Sequence, residues 1–269
     1  MPNTDIDNIS KEVKNNGYAL KKEWLNYQDQ TNLSKFILKL KPKKRSKESI
    51  ACSNLKDYIF SGLKFNFKKI KISLVLNRIA KKLQLQNIAE KILDKKTKLI
   101  RIDFYHNEIS NDPVLDWHCD NAYSGKKDVN FFLHPDDFAI KFFFYLTDVF
   151  PGNGCLSYIK KSNQVTYALR KGIYEGKIDY SPYWKLEDLK KKILEKKNLN
   201  YIKNFVSDGD LNTFFNSSEY ILKDKNNAEG FDFSMKKGGA IIFNESGVHR
   251  GSATKFSERI SLRFFYKKV

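Results

Sequence analysis

The chain has 269 residues, 41% of them hydrophobic and 14% aromatic, with 21 Phe and 14 Tyr; this excludes a disordered chain and allows a sizeable packed core. No run approaches the roughly 18 apolar residues of a membrane span. The formal charge is +18, yet only seven of the 49 basic residues are Arg, the residue suited to bidentate phosphate and base contacts. Dispersed Lys therefore points to a solvated surface or an acidic small substrate before it points to a nucleic acid.

Residues 1–97 read as a helical front. Ile72, Val75, Leu76, Ile79 and Leu83 recur at helical spacing, and Ile88, Ala89, Ile92 and Leu93 continue the pattern. "LKPKKRSKES" (40–49) reads as a charged loop. From residue 98 the texture turns β-prone. "KLIRIDFY" alternates, "VLDWHCD" is short and apolar with a polar finish, and "FAIKFFFYLTDV" is aromatic and β-branched. "GCLSYI" follows a "PGNG" turn, and "GGAIIF" and "RISLRFFYKK" complete the set. Short strands separated by turns predict an antiparallel sandwich or barrel rather than alternating βα units. An insertion at about 165–228 carries "LEDLKKKILEKK", whose Leu186, Leu189 and Ile193 form an apolar stripe with its Lys face expected in solvent. Together these segments read as one domain over 1–269. Three cysteines (Cys52, Cys119, Cys155) without a CxxC pair argue against a disulfide framework and a thiolate zinc site. The N-terminus lacks the basic-then-apolar order of a secretory signal, so a cytoplasmic location is expected.

Four histidines give three H-x-[DE] matches: His106-Asn107-Glu108, His118-Cys119-Asp120 and His134-Pro135-Asp136. A match alone therefore means little in a chain this rich in charge, and context separates them. On an extended strand, residues i and i+2 project from the same face and can grip one metal ion together. "VLDWHCD" meets that condition. "HPDDF" reads as a turn or helix start, and "YHNEISNDP" slides from a strand end into a turn. Cys119 and Trp117 fall on the opposite face from the pair. His249, outside any such pair, follows a β-prone segment and a turn in "GGAIIFNESGVHRGS". Two histidines and a carboxylate that leave half of the coordination sphere open suit non-haem Fe(II). Arg259, heading the last strand, could clamp a carboxylate.

The sequence resembles the iron(II)/2-oxoglutarate oxygenases of the phytanoyl-CoA dioxygenase family. "WHCDNAY", "FFFYLTDVFPGNGCLSYI" and "GGAIIFNESGVHRGSATKFSERISLRFFY" carry the resemblance, over about residues 98–269. Two departures stand out: Lys160-Lys161-Ser162-Asn163 replaces a Pro-Gly-Ser-His turn, and the insertion is longer than the family commonly needs. The resemblance implies a mainly β fold: a double-stranded β-helix (jelly roll, cupin-like) with flanking helices, a helical N-terminal part and a helical insertion. It implies Fe(II) held by His118, Asp120 and His249. 2-Oxoglutarate would be the co-substrate, with Arg259 on its distal carboxylate and Ser252 a second candidate there, and O2 the oxidant. Asp120, absent from halogenating relatives, favours hydroxylation.

Beside these, Lys141, Phe143, Tyr145 and Thr147 share one strand face that either lines the cavity or is solvated, so Lys141 and Tyr145 are candidate substrate contacts. Asn121 and Tyr123 are further candidates, and Tyr174, Tyr180 and Tyr183 could form a lid. The reading is a hydroxylase acting on an unactivated C–H bond of a small, acidic metabolite or a glycan or lipid precursor. The alternatives are an oxidative demethylase of nucleic acid, which would need an Arg-rich groove, and a jelly-roll binding module without redox chemistry.

Overall fold

The computed structural model describes residues 3–40, 46–51, 67–120, 122 and 134–269. The front supplies helices α1 (Asn3–Asn16), α2 (Tyr27–Leu40), α3 (Phe67–Lys82) and α4 (Leu85–Leu93). Their periodic apolar residues turn inward: Ile72, Leu76, Ile79, Ile88 and Ala89 are all buried. Two short strands interrupt the helices, β1 (Tyr18–Lys21) and β2 (Ser46–Ala51). The stretch expected to be a charged loop thus ends in a strand, while 41–45 lie outside the described residues, as does Cys52. β2 reads "SKESIA" and pairs along one side only, with β3, at the edge of its sheet. An edge strand needs little apolar content, so its sequence shows no alternation.

The rest of the sheet structure comprises β3 (Thr97–Asn107), β4 (Ser110–Cys119), β5 (Ala139–Tyr145), β6 (Leu156–Tyr158), β7 (Ala240–Asn244), β8 (Val248–Thr254) and β9 (Arg259–Lys268). They form a six-stranded sheet ordered β1-β7-β5-β9-β3-β2 and a three-stranded sheet ordered β4-β8-β6, with antiparallel pairing throughout. This is the expected double-stranded β-helix.

Four layers result. The front helices pack on the outer face of the large sheet, with Ile140, Phe142, Phe144, Leu262 and Phe264 in their shared core. A second apolar cluster, including Phe143, Tyr145, Leu156, Tyr158 and Phe243, fills part of the space between the sheets. A third joins Trp117, Cys119 and Val248 of the small sheet to the insertion. β5 is buried along its whole length because its two faces meet two different cores. Phe144, fully buried 5.2 Å from the Trp24 ring and 5.7 Å from Phe264, anchors the first of these cores. Phe144→Ala should cost about 3–5 kcal/mol, seen as a lower urea midpoint at unchanged slope.

The insertion folds as α5 (Ser162–Tyr174), α6 (Leu186–Leu194), α7 (Lys196–Ile202) and α8 (Asp208–Lys223), followed by a 3-10 turn (Lys225–Phe231). Leu186, Leu189 and Ile193 are fully buried. One lysine of the face expected in solvent is also inside. Lys192 is 4% exposed, and its Nζ donates to Asp179 O and Ser181 Oγ at 2.6 Å each. An ammonium so partnered tolerates burial. Among the described residues no helix is long and apolar enough to cross a membrane.

Candidate active site

The register of the small sheet sets the two site histidines face to face. His118 on β4 is the direct antiparallel partner of His249 on β8, and Tyr158 of β6 lies opposite His249 on the other side. His249, read from sequence as lying beyond a turn, is on the strand itself, and the turn ends one residue before that strand begins. Asp120 follows immediately after β4. Strand alternation sends His118 inward and Trp117 and Cys119 outward into the insertion core. Burial there pushes the Cys119 thiol far up, so it is an inert filler.

Each imidazole is oriented by its own chain. His118 Nδ1 lies 2.6 Å from Asp116 O and His249 Nδ1 lies 2.8 Å from Gly247 O. A carbonyl can only accept, so Nδ1 carries the proton and Nε2 presents a lone pair. These Nε2 atoms stand 3.6 and 3.4 Å from the Asp120 oxygens. One donor atom from each residue falls within 4.8 Å of the others. His118 Nε2 is buried with no hydrogen-bond partner. An unpartnered lone pair facing a carboxylate is a costly arrangement for a protein alone and a natural one for a metal ligand. Cis donors about 2.1 Å from one ion would stand ~3 Å apart, close to the spacing seen.

Electrostatics agree. Burial pushes the Asp120 carboxyl up, but the Lys141 ammonium and both histidines outweigh it and hold the group well below the usual carboxylate range. Burial and the neighbouring His118 lower His249, with Asp120 opposing. Both shifts favour the anionic carboxylate and neutral imidazole that a metal requires.

The triad opens into a cavity of about 370 Å³ between the sheets, walled on one side by Leu156, Phe243 and Phe143. Arg259 lines the same cavity and is 4% exposed. Its Nε and Nη2 donate to Asn107 Oδ1 at 3.1 and 2.8 Å, and Nη1 donates to Gly154 O at 3.1 Å. Those three bonds leave two of the five guanidinium donors for a ligand. The "NG" turn explains part of this grip. Gly154, at φ +75°, supplies the carbonyl, while Asn153 Oδ1 accepts from Phe256 N and Ser257 N and so braces the β8–β9 turn.

The other residues singled out from sequence fall as follows. Lys141 lines the cavity, where it contacts Asp120 and lies 3.3 Å from Glu245. Tyr145 is not a cavity residue: it is fully buried behind the wall, its hydroxyl accepting from Leu156 N at 2.8 Å. Ser252 does not line the triad's cavity: of β8, His249, Arg250 and Gly251 line it. Ser252 lines a neighbouring cavity together with Trp117 and Glu187. Asn121 and Tyr123 lie outside the described residues. His106 is paired with Glu258 at 3.0 Å, and His134 is exposed beside Asp136. The tyrosines expected to form a lid do not line the cavity: Tyr183 is buried in the insertion core, Tyr180 packs against it, and Tyr174 is 53% exposed. The insertion instead backs the site from outside, with the Trp184 ring 5.1 Å from His118 and Trp184 O accepting from Cys119 N.

Sequence reasoning missed Asn107, Tyr105, Arg101 and Arg263. The signal was present in part, since Arg259, Ser261 and Arg263 necessarily share one face of a strand.

A sequence model of the phytanoyl-CoA dioxygenase family matches residues 14–260, reaching into the helical front as well as the β core. The chain belongs to the phytanoyl-CoA dioxygenase family. With the triad assembled, this family member is a non-haem iron- and 2-oxoglutarate-dependent oxygenase. No curated protein matches it by sequence. Solved structures share the fold. The epimerase SnoN, in complex with Fe3+, alpha-ketoglutarate and nogalamycin RO, is similar at TM-score 0.56 and 13% identity, over 99% of this chain and 85% of its own. HygX from Streptomyces hygroscopicus, with nickel and 2-oxoglutarate bound, is similar at TM-score 0.56 and 12% identity, over 97% and 87%. The carbocyclase SnoK from nogalamycin biosynthesis is similar at 0.53 and 11%, over 97% and 83%.

Proposed function

We propose that this family member hydroxylates an unactivated C–H bond of a small, acidic metabolite or a glycan or lipid precursor. In this reading His118, Asp120 and His249 hold iron(II), and Arg259 seats the distal carboxylate of 2-oxoglutarate. The observation that carries it is the convergence of three ligand atoms within 4.8 Å, with a buried guanidinium in the same cavity. Bound there, iron(II) with 2-oxoglutarate and O2 supplies an oxidant able to remove hydrogen from carbon, with release of CO2 and succinate.

The chain's own contribution is positional. Asp116 O and Gly247 O fix the imidazole tautomers, and Asn107 and Gly154 fix Arg259. The aromatic wall of Phe143 and Phe243 limits water around the reacting carbon. Lys141 has a second carboxylate, Glu245, to pair with when Asp120 turns to a metal. A cavity of about 370 Å³ suits a small molecule and its co-substrate.

The test is anaerobic addition of Fe(II) and then 2-oxoglutarate. A weak visible charge-transfer band should appear and be absent from His118→Ala. Succinate formation without added substrate then separates an enzyme from a binding module. A band of equal strength in both proteins, or in neither, overturns the proposal.

A further inference from the structure

In a chain whose basic residues are almost all Lys, four of the seven arginines (Arg101, Arg250, Arg259 and Arg263) line the one cavity that holds the triad. A lysine serves wherever a point charge suffices, whereas a guanidinium is needed where a planar fork grips an oxyanion. The cations of the cavity differ in the counter-charge they have. Arg250 donates to Asp232 Oδ1 at 2.9 Å and to Ser157 Oγ at 3.1 Å, and the Asp232 side chain is fully buried. Lys141 has Asp120 and Glu245. Arg259 is bonded only to neutral oxygens, which suits it to the co-substrate carboxylate.

Arg101 and Arg263 remain, and among the described residues they share a single carboxylate. Asp103 lies 3.1 Å from Arg101 Nε and 3.0 Å from Arg263 Nη2, with its side chain fully buried. Among the described residues, one negative charge between two guanidiniums leaves one positive charge over. The Nε atoms of both are buried and make no hydrogen bond, since Arg101 Nε approaches Asp103 without the necessary alignment. Both guanidiniums lie against aromatic rings. Arg101 sits 4.5 Å over the Phe265 ring; Arg263 sits 4.8 Å over the same ring and 4.2 Å over Tyr105, whose hydroxyl accepts from it at 2.5 Å. Guanidiniums held against aromatic rings, under-neutralised and partly unpartnered are pre-organised for an anion.

This cluster is separate from Arg259. Arg263 lies four residues further along β9 on the same face, about 13 Å away between backbones at the strand rise, and meets Asp103, Tyr105 and Phe265 where Arg259 meets Asn107 and Gly154. We propose that Arg101 and Arg263 form a second anion subsite that seats one carboxylate or phosphoryl group of the substrate. The inference rests on the functional reading above for assigning this anion to the substrate and the Arg259 anion to 2-oxoglutarate.

The test uses protein saturated with Zn(II) and 2-oxoglutarate, so that the triad and Arg259 are occupied, and two probes, acetate and methyl phosphate. Saturation transfer to each probe's methyl group in ligand-observed NMR gives its affinity. At least one probe should bind in the wild type and weaken about tenfold in Arg101→Gln, a variant that leaves Asp103 paired with Arg263. Arg263→Lys keeps the charge but not the fork, and should weaken the same probe. The preferred probe identifies the group as carboxylate or phosphoryl. No transfer from either probe, or equal transfer in all three proteins, overturns the subsite. Repeating the titration without metal separates the two readings. Arg101-dependent binding in a protein that takes up no Fe(II) or 2-oxoglutarate would sink the oxygenase reading alone. Normal uptake of both without Arg101-dependent binding would sink the subsite alone.

Discussion

His249→Ala is expected to abolish the iron(II)/2-oxoglutarate charge-transfer band and to lower metal affinity by more than about 100-fold, the upper range for losing a mere outer partner of a ligand. The reason is geometric. His118 and Asp120 come from one end of β4 and can grip an ion only from one side; the β8 imidazole completes the face. Removing it also removes a ring 5.1 Å from Phe243 and 6.3 Å from Tyr158, so some loss of stability of about 1–3 kcal/mol should accompany the change. Circular dichroism separates the two effects. A folded variant without the band supports the triad, and a folded variant that keeps the band and makes succinate removes His249 from it.

How much of this was legible depended on which residues had to do two things at once. The β4 segment "VLDWHCD" was readable because an apolar strand running into His118 and Asp120 has a period of two that predicts both side chains on one face, although Asp120 in fact stands in the turn just past the strand. The helices α3 and α4 were readable from their apolar spacing. β2 was not, since an edge strand paired on one side needs no apolar alternation, and "SKESIA" shows none. β8 was hidden for a related reason: "VHRGSAT" is polar because its inner face is the site itself. Tyr145 was misjudged because its face of β5 has two neighbours in succession, the open cavity at Lys141 and Phe143 and then the packed cluster. Ser252 was suggested by closeness in sequence to His249, and strand alternation puts it on the other side of the sheet. The Arg101–Asp103–Arg263 cluster depends on the β3–β9 pairing, with Asp103 directly opposite Arg263, and no local pattern contains that register.

Arg259→Gln should raise the apparent Kd for 2-oxoglutarate by about two orders of magnitude, as expected for losing one side of a buried charge pair. Iron(II) binding, measured alone, should change little, because no metal-ligand atom depends on this side chain. Arg259 is also held in place by its neighbours, so a graded result is expected from them. Asn107→Ala removes the acceptor of two of the three guanidinium bonds and leaves the positive charge. It should weaken 2-oxoglutarate by about tenfold, through loss of orientation rather than of attraction. Arg259→Lys tests the same distinction from the other side: it keeps the charge, cannot bond Asn107 and Gly154 together, and should fall between wild type and Arg259→Gln. The order wild type, Asn107→Ala, Arg259→Gln in rising Kd follows if the guanidinium meets the co-substrate directly. If Asn107→Ala is the more damaging change, the guanidinium is a brace between β3 and β9 and the carboxylate is held elsewhere in the cavity.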